Sequence, residues 1–188
     1  MKKSKISELL KRSLESKRHL SFFRTFTSTR QHGYVLSFTD NFVLIHQTDD
    51  LRLDGYAIMP INTIKKVRCN DFEEMYEYIM QKENFLTDLG INYLIDLTNW
   101  QTIFNSIIQH KEFAVIECEQ VWINTFLLGK LIKAKKKKVE ILYLEANGIY
   151  EEFVTEQKYK DITIVRFDAL YHNLFQKYGK YKNQLLPE

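Results

Sequence analysis

The 188-residue sequence has few of the residues that interrupt regular structure, only 6 Gly and 2 Pro. That scarcity excludes long flexible linkers, low-complexity tracts and extended disorder. Cysteine is equally sparse: Cys69 and Cys118 stand alone, with no C-x-x-C spacing. A secreted chain of this size more often carries disulfides, so the pair reads as two reduced thiols and the expected location is cytoplasmic. No apolar run approaches the roughly 18 residues that span a bilayer. The opening MKKSKISELLKRSLESK is basic but lacks the continuous hydrophobic stretch of a signal peptide.

Motifs of catalysis are missing too. There is no G-x-S-x-G, H-E-x-x-H, P-loop or G-x-G-x-x-G. The histidines, at 19, 32, 46, 110 and 172, never fall as pairs at ligand spacing. Asp49, Asp50 and Asp54 crowd one loop, but aspartate is the ordinary residue of such turns. Glu151 and Glu152 are adjacent in an expected strand and face opposite sides, so they cannot pair as acid and base. Tyr150, Phe153, Tyr159 and Tyr171 are assigned to the core. The expectation is a non-enzyme, with no catalytic residue, metal, cofactor or small-molecule substrate.

Core material, by contrast, is ample. Apolar residues make up 45% of the chain, with 13 Phe and 11 Tyr, enough for one large domain or two of about 90 residues each. Ile6, Leu9, Leu10 and Leu14 recur at helical spacing behind Ser4 as an N-cap, which predicts a helix over 4–18. HLSFFRTF, QHGYVLSF and FVLIHQ read as three strands separated by TSTR and TDN. TDDLRLDG is a polar loop ending in the turn dipeptide Asp-Gly, after which YAIMP, the bridge INT and IKKVRC supply strands four and five. DFEEMYEYIMQ closes the unit as a helix whose apolar stripe is Phe72, Met75, Tyr76 and Ile79.

The same order begins again at Asp96. A helix over 99–109, capped by Thr98 or Asn99, precedes KEFAVIECE, WINTFLLGKLIKA, VEILYLEA, IYEEFVTE and ITIVRF. QKYKD bridges the last two strands, and a helix over FDALYHNLFQKY follows. Gly33 aligns with Gly129 and Val43 with Val139 at one offset; Ile64, Val67 and Arg68 align with Ile162, Val165 and Arg166 two residues later. The pattern predicts a duplication with domains at 1–95 and 96–188. Five short strands per unit suggest a closed sheet, since closure removes exposed edges. The expected class is mainly β with flanking helices (α+β): two tandem five-stranded barrels, each preceded and followed by a helix.

GYVLSFTDNFVLIHQ, a Gly, an apolar strand, an Asp-containing turn and a second apolar strand, resembles the first motif of the Sm-like branch of the SH3-like barrels. The pairing of two units also resembles bacterial proteins built from two such repeats. That resemblance implies an Sm-like fold in both halves and, by family habit, RNA binding. The family's second motif places Arg-Gly before the fifth strand. The stretches here, Pro60–Thr63 and Lys158–Asp161, contain none.

Net charge is +3, but it is local. Residues 1–30 hold nine Lys or Arg against Glu8 and Glu15, which leaves 18 basic and 22 acidic residues in the rest. A second knot, KLIKAKKKK, packs six lysines into 130–138. Two function classes follow. One is a scaffold that engages a protein partner or a second copy of the chain, without membrane. The other is sequence-nonspecific RNA binding through Lys133, Lys135, Lys136, Lys137 and Lys138, assisted by Lys2, Lys3, Lys5, Lys11 and Arg12.

Overall fold

The computed structural model describes residues 3–120 and 122–182, so Lys2 and the side chain of Lys3 lie outside it. Among the described residues, ten strands and four α-helices make a mainly β structure. It divides into two compact units, Met1–Asn92 and Tyr93–Glu188.

In the first unit, helix α1 (Lys3–Ser16) precedes strands β1 (His19–Arg24), β2 (Arg30–Phe38), β3 (Phe42–Asp49), β4 (Arg52–Pro60) and β5 (Ile64–Arg68). Helix α2 (Asp71–Lys82) follows. The ladders are antiparallel in the order β5-β1-β2-β3-β4. Helix α1 packs on β2 and β5, and α2 packs on β1. Ser4 lies inside α1 rather than capping it. Leu14, expected in the core, is substantially exposed, and Ser13 is buried instead. The Ser13 hydroxyl donates to the Arg18 carbonyl at 2.6 Å and accepts from the Val35 amide at 3.2 Å. These two bonds satisfy both ends of a buried polar group.

The loop expected over 48–55 contracts to two residues. Asp50 and Leu51, with φ of 40° and 61°, join β3 to β4 in a tight hairpin. The Asp54-Gly55 dipeptide is a bulge within β4, set opposite Gln47, and not a turn.

The second unit runs α3 (Trp100–His110), β6 (Phe113–Gln120), β7 (Ile123–Ala134), β8 (Lys138–Tyr143), β9 (Thr155–Lys158), β10 (Ile164–Phe167) and α4 (Leu170–Tyr178). Its order is β10-β6-β7-β8-β9. Asn99 caps α3 by accepting from the Thr102 amide at 3.1 Å. Ile103, Phe104 and Ile107 form its buried stripe. The strand expected over 149–156 is only partly present. Tyr150 is buried and bridges to Leu144, residues 151–154 have no regular structure, and pairing resumes at Thr155. Burying Glu151 or Glu152 in a ladder without a partner is costly, and the detour leaves Glu152 and Phe153 in solvent.

Register makes the two units comparable. Leu20 faces Gly33 and Ala114 faces Gly129. The ladder slips between Val35 and Ser37 in one unit and between Leu131 and Lys133 in the other. A Cβ on Gly33 would collide with the His46 carbonyl, and one on Gly129 with the Leu142 carbonyl, so each glycine marks a close approach of strands. A one-turn 3-10 helix, Ile61–Thr63 or Tyr159–Asp161, precedes each last strand.

The barrels expected from sequence do not close. The turn at Ile61–Thr63 carries the chain from β4 to β5, at the far end of the order beside β1. Consecutive strands therefore end on opposite sides of an open sheet, and the same holds for β9 and β10.

Candidate functional site

The lysine knot is a hairpin tip. The Lys135 amide donates to the Lys138 carbonyl at 2.8 Å, so Lys136 and Lys137 are the two turn residues, both exposed. Lys133 is exposed on β7. Lys135 pairs with Glu140 and, at 3.2 Å, with Glu156; Lys138 also pairs with Glu156. The hydrogen bonds from Lys138 and Lys135 hold the Glu156 carboxyl below its ordinary range, and Glu140 with Glu156 raises the Lys135 ammonium. Two of the four lysines at 135–138 thus have their charge countered, by Glu140 of β8 and Glu156 of β9. Two of the N-terminal cations are treated likewise: Arg12 pairs with Glu8 at 2.7 Å and Lys11 with Glu15 at 3.8 Å.

The titratable groups that sequence spacing left apart meet under α2. His19 and Ser21 on β1 share a sheet face, and the ladder sets them beside Tyr34 and His32 on β2. The His19 and His32 rings stack with centroids 6.1 Å apart, and Tyr76 of α2 lies 4.3 Å from His19. His19 Nε2 is 2.9 Å from the Thr48 hydroxyl. The Ser21 hydroxyl donates to Glu73 and lies 3.0 Å from His32 Nδ1. Glu73 is buried at the N-terminus of α2, where Arg68 donates to it at 2.7 Å and the Asn70 amide at 3.0 Å.

Burial, and secondarily His32, pushes His19 down to about 4. His32 is lowered by burial as well. Burial works against ionisation of Glu73, but the Arg68, Ser21 and Asn70 hydrogen bonds outweigh it and hold the carboxyl low. Ser21, His32 and Glu73 do not form a nucleophile relay. The serine sits in the middle, is fully buried, and gives its proton to the carboxylate, so no substrate reaches its oxygen.

The second unit shows that the fold does not require this polar layer. By register, Phe113 stands where the first unit has His19, Val115 where it has Ser21, Leu128 where it has His32 and Leu144 where it has Thr48. These residues form an apolar cluster with Tyr150. His172, at the third position of α4, is buried and pushed down to about 4 by that burial. Cys118 is a buried free thiol raised to about 12, chiefly by burial. Cys69 is also a free thiol; burial raises it, and Arg18 Nη2 lies 3.9 Å from its sulfur.

Beside the exposed Asp71, Glu74, Gln81 and Lys82, α2 turns three large apolar residues outward. Phe72 is 73% exposed, Met75 57% and Tyr78 55%, while Glu73 and Met80 are buried. The apolar stripe read from sequence thus faces solvent at Phe72 and Met75. The buried face begins with a glutamate, which the Arg68, Ser21 and Asn70 contacts make tolerable inside. Of the four aromatics that sequence assigned to the core, Tyr171 and Phe153 are exposed, Tyr159 is half-buried and Tyr150 is buried.

Beside Phe72 lies a basic row. Phe23 on β1 pairs across the ladders with Lys66 on β5 and Arg30 on β2. Arg30, Lys66 and Arg68 lie 5.0, 5.4 and 5.6 Å from the Phe23 ring centroid, and Arg68 lies 5.3 Å from that of Phe72. Sequence reading missed this row because residues 23, 30 and 66 become neighbours only once register is fixed.

Among the described residues no group of His, Cys, Asp and Glu could hold a metal ion, and no helix is long and apolar enough to cross a membrane. No protein-family model, curated protein or solved structure matches the chain.

Proposed function

We propose that the chain is a non-enzymatic protein-interaction module built from a duplicated unit, and that the outer face of α2 is its contact surface. The observation that carries this reading is the outward stripe Phe72-Met75-Tyr78, each more than half exposed on a helix anchored from its other side by Glu73. Contiguous exposed apolar surface on an ordered helix marks a contact site, because leaving it in water forgoes the stabilisation of burial. Matching registers around Gly33 and Gly129 support the duplication. The helix, five strands and 3-10 turn before the last strand fit the Sm-like resemblance. Free Cys69 and Cys118 suit work in the cytoplasm. The RNA reading is weakened by the glutamates that pair with Lys135 and Lys138.

Site-specific photo-crosslinking tests the proposal. A benzoylphenylalanine in place of Met75 or Tyr78 of the full chain, irradiated in cells, should give discrete protein adducts, including chain-to-chain dimers if the partner is a second copy. The same probe at Lys137 should give none. Adducts equally abundant at Lys137, or lost on nuclease treatment, would overturn the reading.

A further inference from the structure

We infer that the α2 face recognises an acidic peptide segment of its partner that carries aromatic or aliphatic side chains. This rests on α2 being the contact surface and names the chemistry it selects. The stripe has cations at both ends. At one end stand Arg30, Lys66 and Arg68 around Phe23, and at the other Lys82 lies 5.6 Å from the Tyr78 ring. Arg68 spends its charge on buried Glu73 at 2.7 Å. Arg30 and Lys66 have no carboxylate partner among the described residues, so the row keeps two positive charges over an aromatic surface.

Between the ends lie Phe72, Met75 and Tyr78, one helical turn apart in succession. A ligand that matches places carboxylates over Arg30 and Lys66 and apolar side chains along the helix. A nucleic-acid strand matches less well. Its phosphates would pass Met75 beside Asp71 and Glu74, where the cation at hand, Arg18, is already paired with Glu74 at 2.7 Å and with Glu77 at 3.2 Å.

The second unit supplies an internal contrast. At the register of Lys66, Phe23 and Arg30 it has Ile164, Glu117 and Phe126. Its Arg166 is spent on Glu117 at 2.7 Å. Its own helix α4 also exposes apolar residues, among them Tyr171 and Leu174, yet without a basic row. Lysines on an end strand such as β5 also discourage edge pairing, a role that needs neither Arg30 nor the aromatic ring between them.

The experiment uses the full chain and three labelled probes in fluorescence anisotropy: a random glutamate–tyrosine copolymer, polyglutamate of equal length, and an oligo(U) strand. The copolymer should bind about tenfold more tightly than polyglutamate, because aromatic side chains add contact area that charge alone lacks. The R30Q/K66Q variant, altered only at exposed positions, should weaken copolymer binding about tenfold, whereas the charge-matched control K158Q/K160Q should leave it unchanged. Higher salt should weaken binding without abolishing it. Equal affinity for both polymers, tighter binding of oligo(U), or indifference to R30Q/K66Q would each overturn the inference. Crosslinks at Met75 that persist in R30Q/K66Q would do so too, while leaving the interaction-module reading standing.

Discussion

At the residue scale, the two strand glycines show most directly how sequence fixes geometry. Gly33 and Gly129 were legible as markers because they sit at one offset, and the structure supplies the reason: each lies against a carbonyl of the next strand. Backbone cannot yield there as the end of a flexible side chain can. Gly129→Ala should therefore cost about 1–3 kcal/mol, the scale of overpacking strain, despite removing a flexible residue from the unfolded chain. Urea denaturation of the full chain should show a lower midpoint with an unchanged slope. Gly148, with φ 81° and no atom within reach of a Cβ, is the contrast, since a substitution there strains only its own backbone.

At the scale of elements, α2 is the instructive case. Its existence and bounds were legible from the helical spacing of DFEEMYEYIMQ, and in the structure Asn70 begins it with a capping box to Glu73. Its facing was not. Two apolar stripes compete on this helix, and hydrophobicity alone favours Phe72 and Met75 over a face that begins with Glu73. The choice is made by Arg68 and Ser21, which reach Glu73 from β5 and β1. Their positions depend on ladder register, which no local pattern reveals. The same dependence hid the row of Phe23, Arg30 and Lys66.

If Glu73 anchors α2, Glu73→Gln keeps the shape but leaves Arg68 without its counter-charge. The expected loss is about 1–3 kcal/mol, with hydrogen exchange rising in α2 and changing little in α3, which belongs to the other unit. Unaltered exchange in α2 would show that packing of Met80 and Tyr76 suffices to hold it.

At the scale of the whole molecule, each unit keeps a neutral histidine inside, and this makes the protein acid-labile in a defined window. His19 is buried among His32, Tyr34 and Thr48 of the sheet and Tyr76, Glu73 and Glu77 of α2. His172 is buried near Arg166 and Asp168. Both are lowered from 6.5 to about 4. The folded state binds the proton more weakly than the unfolded chain. The stabilisation is therefore fully present above pH 6.5, shrinks as pH falls from there, and is gone below about 4. A difference of that size is worth roughly 3 kcal/mol per histidine at most. Glu73, held low in the fold, adds to the loss at the acid end.

Stability measured by urea denaturation at pH 7.5, 5.5 and 4.5 should fall at each step, in two transitions if the units unfold separately. The register comparison also supplies the decisive variant. His19→Phe installs the residue that the second unit has at that position, Phe113. It should flatten the pH dependence of the first unit's transition while leaving that of the second intact. A first-unit transition that stays as acid-sensitive in H19F as in the natural chain would assign the effect to Glu73 and His32 instead.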